Sequence, residues 1–270
     1  MSTTRNGLKN YGSNCFLNAV LQLLFVSDEI MGCITNQHIL NIYENNGVDP
    51  GNIMKYLSDK YKIDSFEQQD ACEILLYLLD EIEDKSLFEI KTKGVFTYNK
   101  PEFINDDDEV EFKQSESINI SNELILSLEL KNSISSSIDS YLSIDKETLL
   151  IDFESKKIDY SPQKVLIPDN SPKFIFISMK RFTYNNGIPV KLNDDIKITD
   201  YIQYNNYIYK VISYIVHIGD ISNGHYFTFV KKSPDNFLID DLSVKRCNND
   251  DFKRVQKVAY VYLCEKITSI

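Results

Sequence analysis

Gly7-Leu8-Lys9-Asn10-Tyr11-Gly12-Ser13-Asn14-Cys15-Phe16-Leu17-Asn18-Ala19-Val20-Leu21-Gln22 is a polar, glycine-containing loop that runs straight into a helical pattern. From Cys15 onward the apolar residues fall at Phe16, Val20, Leu23 and Leu24, the spacing of one helix face. Ser13 and Asn14 are good capping residues just ahead of it. A cysteine in the first turn of a helix meets unpaired N–H groups and the positive end of the helix dipole, which favour the nucleophilic thiolate. Asn10, on the same loop, carries an amide that can donate to the oxyanion formed when a thiolate attacks a carbonyl. The competing reading, Cys15 as a small buried hydrophobe, has equal standing on this stretch alone.

Composition narrows the class. The chain has 270 residues, 43% hydrophobic, 12% aromatic and 26% charged, which suits a single large globular domain with a substantial core. Its formal net charge of -11 argues against nucleic acid as the main partner and is compatible with a substrate whose contacting segment is basic. No apolar run reaches membrane-spanning length, and Met1-Ser2-Thr3-Thr4-Arg5-Asn6 lacks a secretory apolar stretch, so we expect an intracellular protein, cytoplasmic or nuclear, without a membrane partner. The five cysteines are Cys15, Cys33, Cys72, Cys247 and Cys264. None forms a C-x-x-C pair, so no structural zinc and no cofactor is expected.

Residues 1–94 read as mostly helical, with a turn at Gly47-Val48-Asp49-Pro50-Gly51 and a short helix over Ile53 to Lys60. Ser65-Phe66-Glu67-Gln68 offers a capping box for a helix whose stripe is Ala71, Ile74, Leu75, Leu78, Leu79 and Ile82. Residues 95–170 break into short alternating segments around the solvated run Asp106 to Glu109 and a Ser-rich piece from Ser133 to Ser140. Residues 171–270 are dominated by strands: Phe174–Ile177, Tyr207–Ile218, Tyr226–Val230, Phe237–Ile239 and Val258–Leu263. Helices followed by a mostly antiparallel sheet make an α+β fold.

Two further stretches carry chemistry. His217-Ile218-Gly219-Asp220-Ile221-Ser222-Asn223-Gly224-His225-Tyr226 sets His225 at the start of a strand, with Gly224 leaving room for a substrate backbone to pass. Of the other two histidines, His38 has no motif around it and His217 reads as a packing or supporting residue. Phe237-Leu238-Ile239-Asp240-Asp241 ends an apolar strand in two carboxylates, the kind of group that holds a histidine in the right tautomer.

Four ordered motifs then coincide: Gly7 to Gln22, Gln68 to Glu73, Phe174 to Phe182 with its Lys-Arg-Phe ending, and His217 to Val244. Together they resemble the ubiquitin-specific proteases, papain-like deubiquitinases. The resemblance implies a right-hand architecture: a helical thumb over about residues 1–94, reduced fingers over about 95–170 and a palm sheet over about 171–270, all one catalytic domain with no added module. It implies Cys15 as nucleophile, His225 as general base and acid, Asp240 as its orienting carboxylate and Asn10 as the oxyanion donor. Asp241 is the alternative third member. Asp70 and Glu73 would meet the ubiquitin tail, Gly224 and Tyr226 would line its channel, and Thr183–Pro189 and Ile218–Gly224 would be mobile loops at the cleft.

Ubiquitin ends in Arg-Leu-Arg-Gly-Gly, so a channel too narrow for side chains would select its two glycines and carboxylates would pair with its arginines. The implied partners are ubiquitin and ubiquitinated proteins, and the implied state is a monomer. One departure stands out: Gly94–Tyr98 and Leu149–Phe153, where many family members carry zinc-binding C-x-x-C pairs, have no cysteine, and the fingers look short. Two alternatives stay open, a protease for a ubiquitin-like modifier and a non-catalytic ubiquitin-binding scaffold.

Overall fold

The computed structural model describes residues 5–64, 67–104, 109–143, 145–146, 149–153, 156–160, 163–197, 199–220, 224–232 and 235–269. Five helices come first: α1 (Cys15–Leu24), α2 (Asp28–Cys33), α3 (Gln37–Asn45), α4 (Gly51–Tyr61) and α5 (Ala71–Asp80). Then come β1 (Ile90–Ile104), β2 (Val110–Glu123), β3 (Leu126–Leu128), α6 (Ile134–Leu142), β4 (Asp145–Lys146), β5 (Leu149–Phe153), β6 (Lys156–Tyr160) and β7 (Gln163–Pro168). The last third holds β8 (Phe174–Met179), β9 (Phe182–Asn185), β10 (Ile188–Lys191), β11 (Tyr201–Tyr204), β12 (Tyr207–Gly219), β13 (Gly224–Lys232), β14 (Asp235–Asp240), β15 (Ser243–Cys247), α7 (Asn249–Gln256) and β16 (Ala259–Ser269).

The central sheet runs β15-β14-β13-β12-β16-β8-β3, with β11 beside β12, and all pairings are antiparallel except β3 with β8. It has a core on each face. Phe174 and Phe176 of β8 join the cluster built on α1 to α5, while Ile175, Ile177 and Met179 join the cluster on the opposite face with α6 and α7. A strand covered on both sides has no polar face to show, which is why Phe174-Ile175-Phe176-Ile177 reads as an unbroken apolar run.

The same logic explains α1, whose ten residues are all buried between the other helices and the sheet. Its polar members are satisfied: the Asn18 amide donates to Asp241 Oδ1 at 2.7 Å, and the Gln22 amide to the Asn6 carbonyl at 2.9 Å. Arg181, 2% exposed, is the counterpart in the sheet. Its guanidinium donates to the carbonyls of Ala259, Leu192, Asp194 and Lys257, tying the end of β8 to the start of β16.

Several expectations change. The helix at 71 is capped by Asp70, whose carboxylate accepts from the Cys72 and Glu73 N–H groups at 2.7 and 3.1 Å; Ser65 and Phe66 of the expected capping box lie outside the described residues. The region after residue 90 is not short. β1 and β2 form an extended hairpin of 15- and 14-residue strands in the sheet β2-β1-β7-β4. Its β2 is exposed on both faces, so alternation alone understated its length. The Ser-rich piece forms α6, opened by a Ser133–Ser136 capping box. The acidic run at 106–108 falls outside the described residues. Thr183–Pro189, expected as a loop, pairs β9 with β10 as a two-stranded hairpin turning at Asn186-Gly187, both at positive φ. Of the other expected cleft loop, residues 221–223 lie outside the described residues.

Candidate active site

Cys15 opens α1 with its side chain buried. Asn14 precedes it but does not cap the helix with its side chain. Its carbonyl oxygen accepts from Tyr11 N–H at 2.6 Å and its amide donates to Lys9 O and Asn18 Oδ1, which fastens the loop back on itself. The loop is also fastened to the sheet. Leu8 N–H donates to Asp241 O at 2.8 Å, and a Cβ at Gly7 would stand 2.2 Å from that same oxygen, so only glycine fits there.

Asp241 sits in a left-handed turn (φ 50) between β14 and β15 and is the hub of this contact. Its Oδ2 accepts from the Asn10 amide at 2.8 Å and its Oδ1 from Asn18. The expected oxyanion donor is therefore braced by the second carboxylate of the pair. Asn18, one turn along α1 from Cys15, was not singled out by the sequence; its signal was an amide four residues from another, Gln22, inside an otherwise apolar helix.

His225 and Asp240 come together. Thr228 pairs with Ile239, a register that puts His225, Phe227 and Asp240 on one face of the sheet. The His225 Nε2 lies 2.6 Å from Asp240 Oδ1, which leaves Nδ1 for a second partner. Cys15 lies against β13 at the next residue, where the Tyr226 backbone N–H acts to lower the thiol's pKa. Burial pushes the Cys15 thiol above its ordinary value and Asp241 adds to the rise, while the N–H groups of Tyr226, Phe16 and Cys15 pull it down. The helix-terminus argument for a ready thiolate is thus outweighed by desolvation in the free protein.

The remaining expected residues divide between the surface and the packed seam. Asp70 is turned inward, accepting from Tyr260 Oη at 2.8 Å besides capping α5, and burial raises its pKa. Glu73 is exposed and accepts from the Tyr77 hydroxyl. The Tyr226 side chain, 4% exposed, packs inside the seam against His217 and Tyr260 rather than toward solvent. The room at Gly224 is taken by His217: a Cβ there would stand 1.8 Å from the imidazole Nε2. His217 is buried against Phe182 and Tyr226, and burial, with the charges of Lys191 and His225, lowers its pKa to about 4. It is a neutral packing group.

Gln68, which in the sequence stands out as part of a helix start and of the Gln68–Glu73 motif but without a role of its own, reaches across to both lobes: its amide donates to the Gly224 carbonyl and lies 3.7 Å from Cys15 Sγ. Among the described residues, the one cluster with metal-type ligand atoms is His225, Asp240 and Asp241, within 4.8 Å of one another. Those atoms already serve each other, Asn10 and Asn18. No described helix is long and apolar enough to cross a membrane.

A cysteine at the mouth of a buried helix, seated against a strand whose histidine pairs with a carboxylate on the next strand, is the layout of the papain-like cysteine-protease fold. The chain belongs to the ubiquitin carboxyl-terminal hydrolase family, whose model matches residues 6–263. It is 24% identical over 283 residues to ubiquitin carboxyl-terminal hydrolase 7 of Drosophila melanogaster, covering 91% of this chain and 24% of that protein. It is 25% identical over 289 residues to ubiquitin carboxyl-terminal hydrolase 15 of Saccharomyces cerevisiae, covering 89% of this chain and 23% of that protein. The chain thus spans about a quarter of the length of these relatives. Among solved structures, the SAGA Ubp8/Sgf11/Sus1/Sgf73 DUB module bound to ubiquitin aldehyde superposes with a TM-score of 0.77 at 17% identity, covering 98% of this chain and 70% of that one. A second structure of the SAGA DUB module, bound to monoubiquitin, gives 0.77 at 18%, with the same coverage. The fold is that of the ubiquitin-specific protease catalytic domains.

Proposed function

We propose that this chain is a thiol-dependent deubiquitinase, a single catalytic domain with a thumb over about 1–94, fingers over about 95–170 and a palm over about 171–270. The observation that carries the reading is the 2.6 Å contact of His225 on β13 with Asp240 on β14, with Cys15 held beside the same β13 through Gln68, whose amide reaches both Cys15 Sγ and the Gly224 carbonyl. With Nε2–H donating to Asp240, Nδ1 is the base that takes the Cys15 proton. The thiolate attacks the carbonyl of the last ubiquitin glycine, and the Asn10 amide and the Cys15 N–H hold the oxyanion. His225 returns the proton to the leaving lysine amine, and the C–N bond breaks to give a thioester on Cys15. Water, deprotonated by His225, then attacks that carbonyl; ubiquitin leaves with a free carboxylate and the thiol is restored.

Asp241 takes the role of brace for Asn10 rather than third member, because its two oxygens are already given to Asn10 and Asn18. Glu73, exposed beside the seam, is the carboxylate better placed than Asp70 for a tail arginine. Ubiquitin and its conjugates as partners, a monomeric state and a cytoplasmic or nuclear location go with this reading. Ubiquitin carrying a C-terminal electrophile tests it: the wild-type chain gains one ubiquitin mass and Cys15→Ala gains none. A folded wild-type chain that forms no adduct, yet reacts with the same probe built on a ubiquitin-like protein, would move the assignment to that modifier.

A further inference from the structure

β13 pairs with β14 only from Thr228 to Lys232, so its first four residues, 224–227, have an open backbone edge on that side. Gly224 and Tyr226, two residues apart, send their N–H groups away from β12 to this edge. The Tyr226 N–H lies on the Cys15 side and acts to lower that thiol's pKa. The Gly224 N–H donates to Gln68 Oε1 at 3.1 Å, and the Gly224 carbonyl accepts from Gln68 Nε2. The same Gln68 Nε2 also lies 3.7 Å from Cys15 Sγ. A residue that gives one N–H and takes one from the same partner residue is the repeating unit of an antiparallel ladder. Gln68 reproduces that unit with a side-chain carboxamide, immediately beside the nucleophile.

We propose that Gln68 is a displaceable stand-in for substrate backbone: in the free protein it fills the peptide position on the open edge of β13 next to Cys15, and an extended tail must evict it before its own backbone can pair with Gly224. The inference rests on the deubiquitinase reading only for the identity of that tail, the diglycine end of ubiquitin. Three features favour a side chain that leaves over one that is fixed. Gln68 is exposed, so water replaces its partners when it swings out. Its swing needs no backbone movement, since Asp70, two residues on, anchors the segment to α5 and Tyr260. Cys15, by contrast, is 1% exposed and lies behind it.

The test reads Cys15 without ubiquitin. The wild-type chain, Gln68→Ala and Gln68→Met are treated with iodoacetamide across pH, and modification is followed on the peptide that contains Cys15. The plateau rate at high pH is compared, because it reports access to the thiolate rather than its pKa. Methionine keeps about the length of glutamine but can neither donate to Gly224 O nor accept from Gly224 N–H as the carboxamide does. Both variants are expected to react faster, by about fivefold, the population shift of one modest net hydrogen bond. Plateau rates at or below wild type in both variants overturn the proposal, as does a rise confined to Gln68→Ala, which would report lost bulk alone. On a ubiquitin C-terminal amide reporter, Gln68→Ala is expected to lower KM with kcat held; a lower kcat at unchanged KM would make Gln68 a positioning group and overturn its role as an evicted stand-in. Faster alkylation combined with no reaction of any form with ubiquitin electrophile would sink the deubiquitinase reading and leave the stand-in intact.

Discussion

The seam around Cys15 and the β1–β2 extension are built on opposite terms. In the seam, α1 is buried over all ten residues, and it, the loop before it and the cap of α5 are each stitched to elements far away in the chain: Thr228 Oγ1 donates to Ala19 O at 2.8 Å, Leu8 N–H to Asp241 O, Tyr260 Oη to Asp70. In the extension, β2 pairs with its sequence neighbour β1 and leaves Phe112, Ile118 and Ile120 exposed at 47%, 49% and 65%. One region holds its shape by long-range polar contacts inside a packed core, the other by local ladder bonds. The proposed catalytic site needs the first kind, because groups from residues 10, 15, 225 and 240 would have to agree in position to a fraction of an ångström.

The largest effect expected from breaking the seam is chemical. His225→Ala should lower kcat/KM on a ubiquitin C-terminal amide by at least ~10³-fold with a melting temperature close to wild type, since the base is lost and its side chain is only partly buried. A loss below tenfold would show that the His225–Asp240 pair is not the proton-handling group.

Arg181→Met breaks the backing of the sheet. Four backbone carbonyls lose a charged donor in a site only 2% exposed, so urea unfolding should report a loss of about 3 kcal/mol. A change within error would mean that water replaces the guanidinium.

His217 sharpens the comparison through pH. Above pH 6.5 it is neutral whether folded or not; below that the unfolded chain takes up a proton, while the folded chain resists until about pH 4. Its contribution to stability is therefore lost as pH falls from 6.5 to about 4, on the order of 3 kcal/mol in full. Asp70 works in the other sense, because its raised pKa makes the folded state the better proton binder as the pH drops. His217→Asn should flatten the fall in stability over this window in urea titrations; an unchanged pH profile would assign the fall to other groups.

The smallest effect belongs to the extension. Ile120→Ser removes a side chain that is 65% exposed, and stability should move by no more than about 0.5 kcal/mol. A larger loss would show that the hairpin face is packed in solution and is not the open surface that contrasts with the seam.

Much of this was legible in the chain. The apolar run of β8 and the spacing of α1 and α5 announced buried elements because burial on two faces, or on one stripe, leaves no choice of residue. The reading of 95–170 as short segments holds for β3 to β7 but not for β1 and β2, for the converse reason: a strand exposed on both faces, as β2 is, writes no alternation, so only its pairing with β1 reveals its length. Asp70 and Tyr226 were expected at the surface of a channel, but a carboxylate ahead of a helix is also a cap, and an aromatic after His225 must face away from it. Neither choice can be made without knowing what lies across the seam.

The sequence by itself determined the α+β class, the family, and the order Asn10, Cys15, His225, Asp240, because these depend on residue type and local period. Tertiary structure alone decided that Asp241 braces Asn10, that Gly224 makes room for His217, that burial raises the Cys15 thiol, and that Gln68 lies on the open edge of β13. Each of those pairs residues from distant parts of the chain. Hydrogen bonds, desolvation and steric exclusion act between neighbours in space, and only the packing of α1 against β13 makes those residues neighbours.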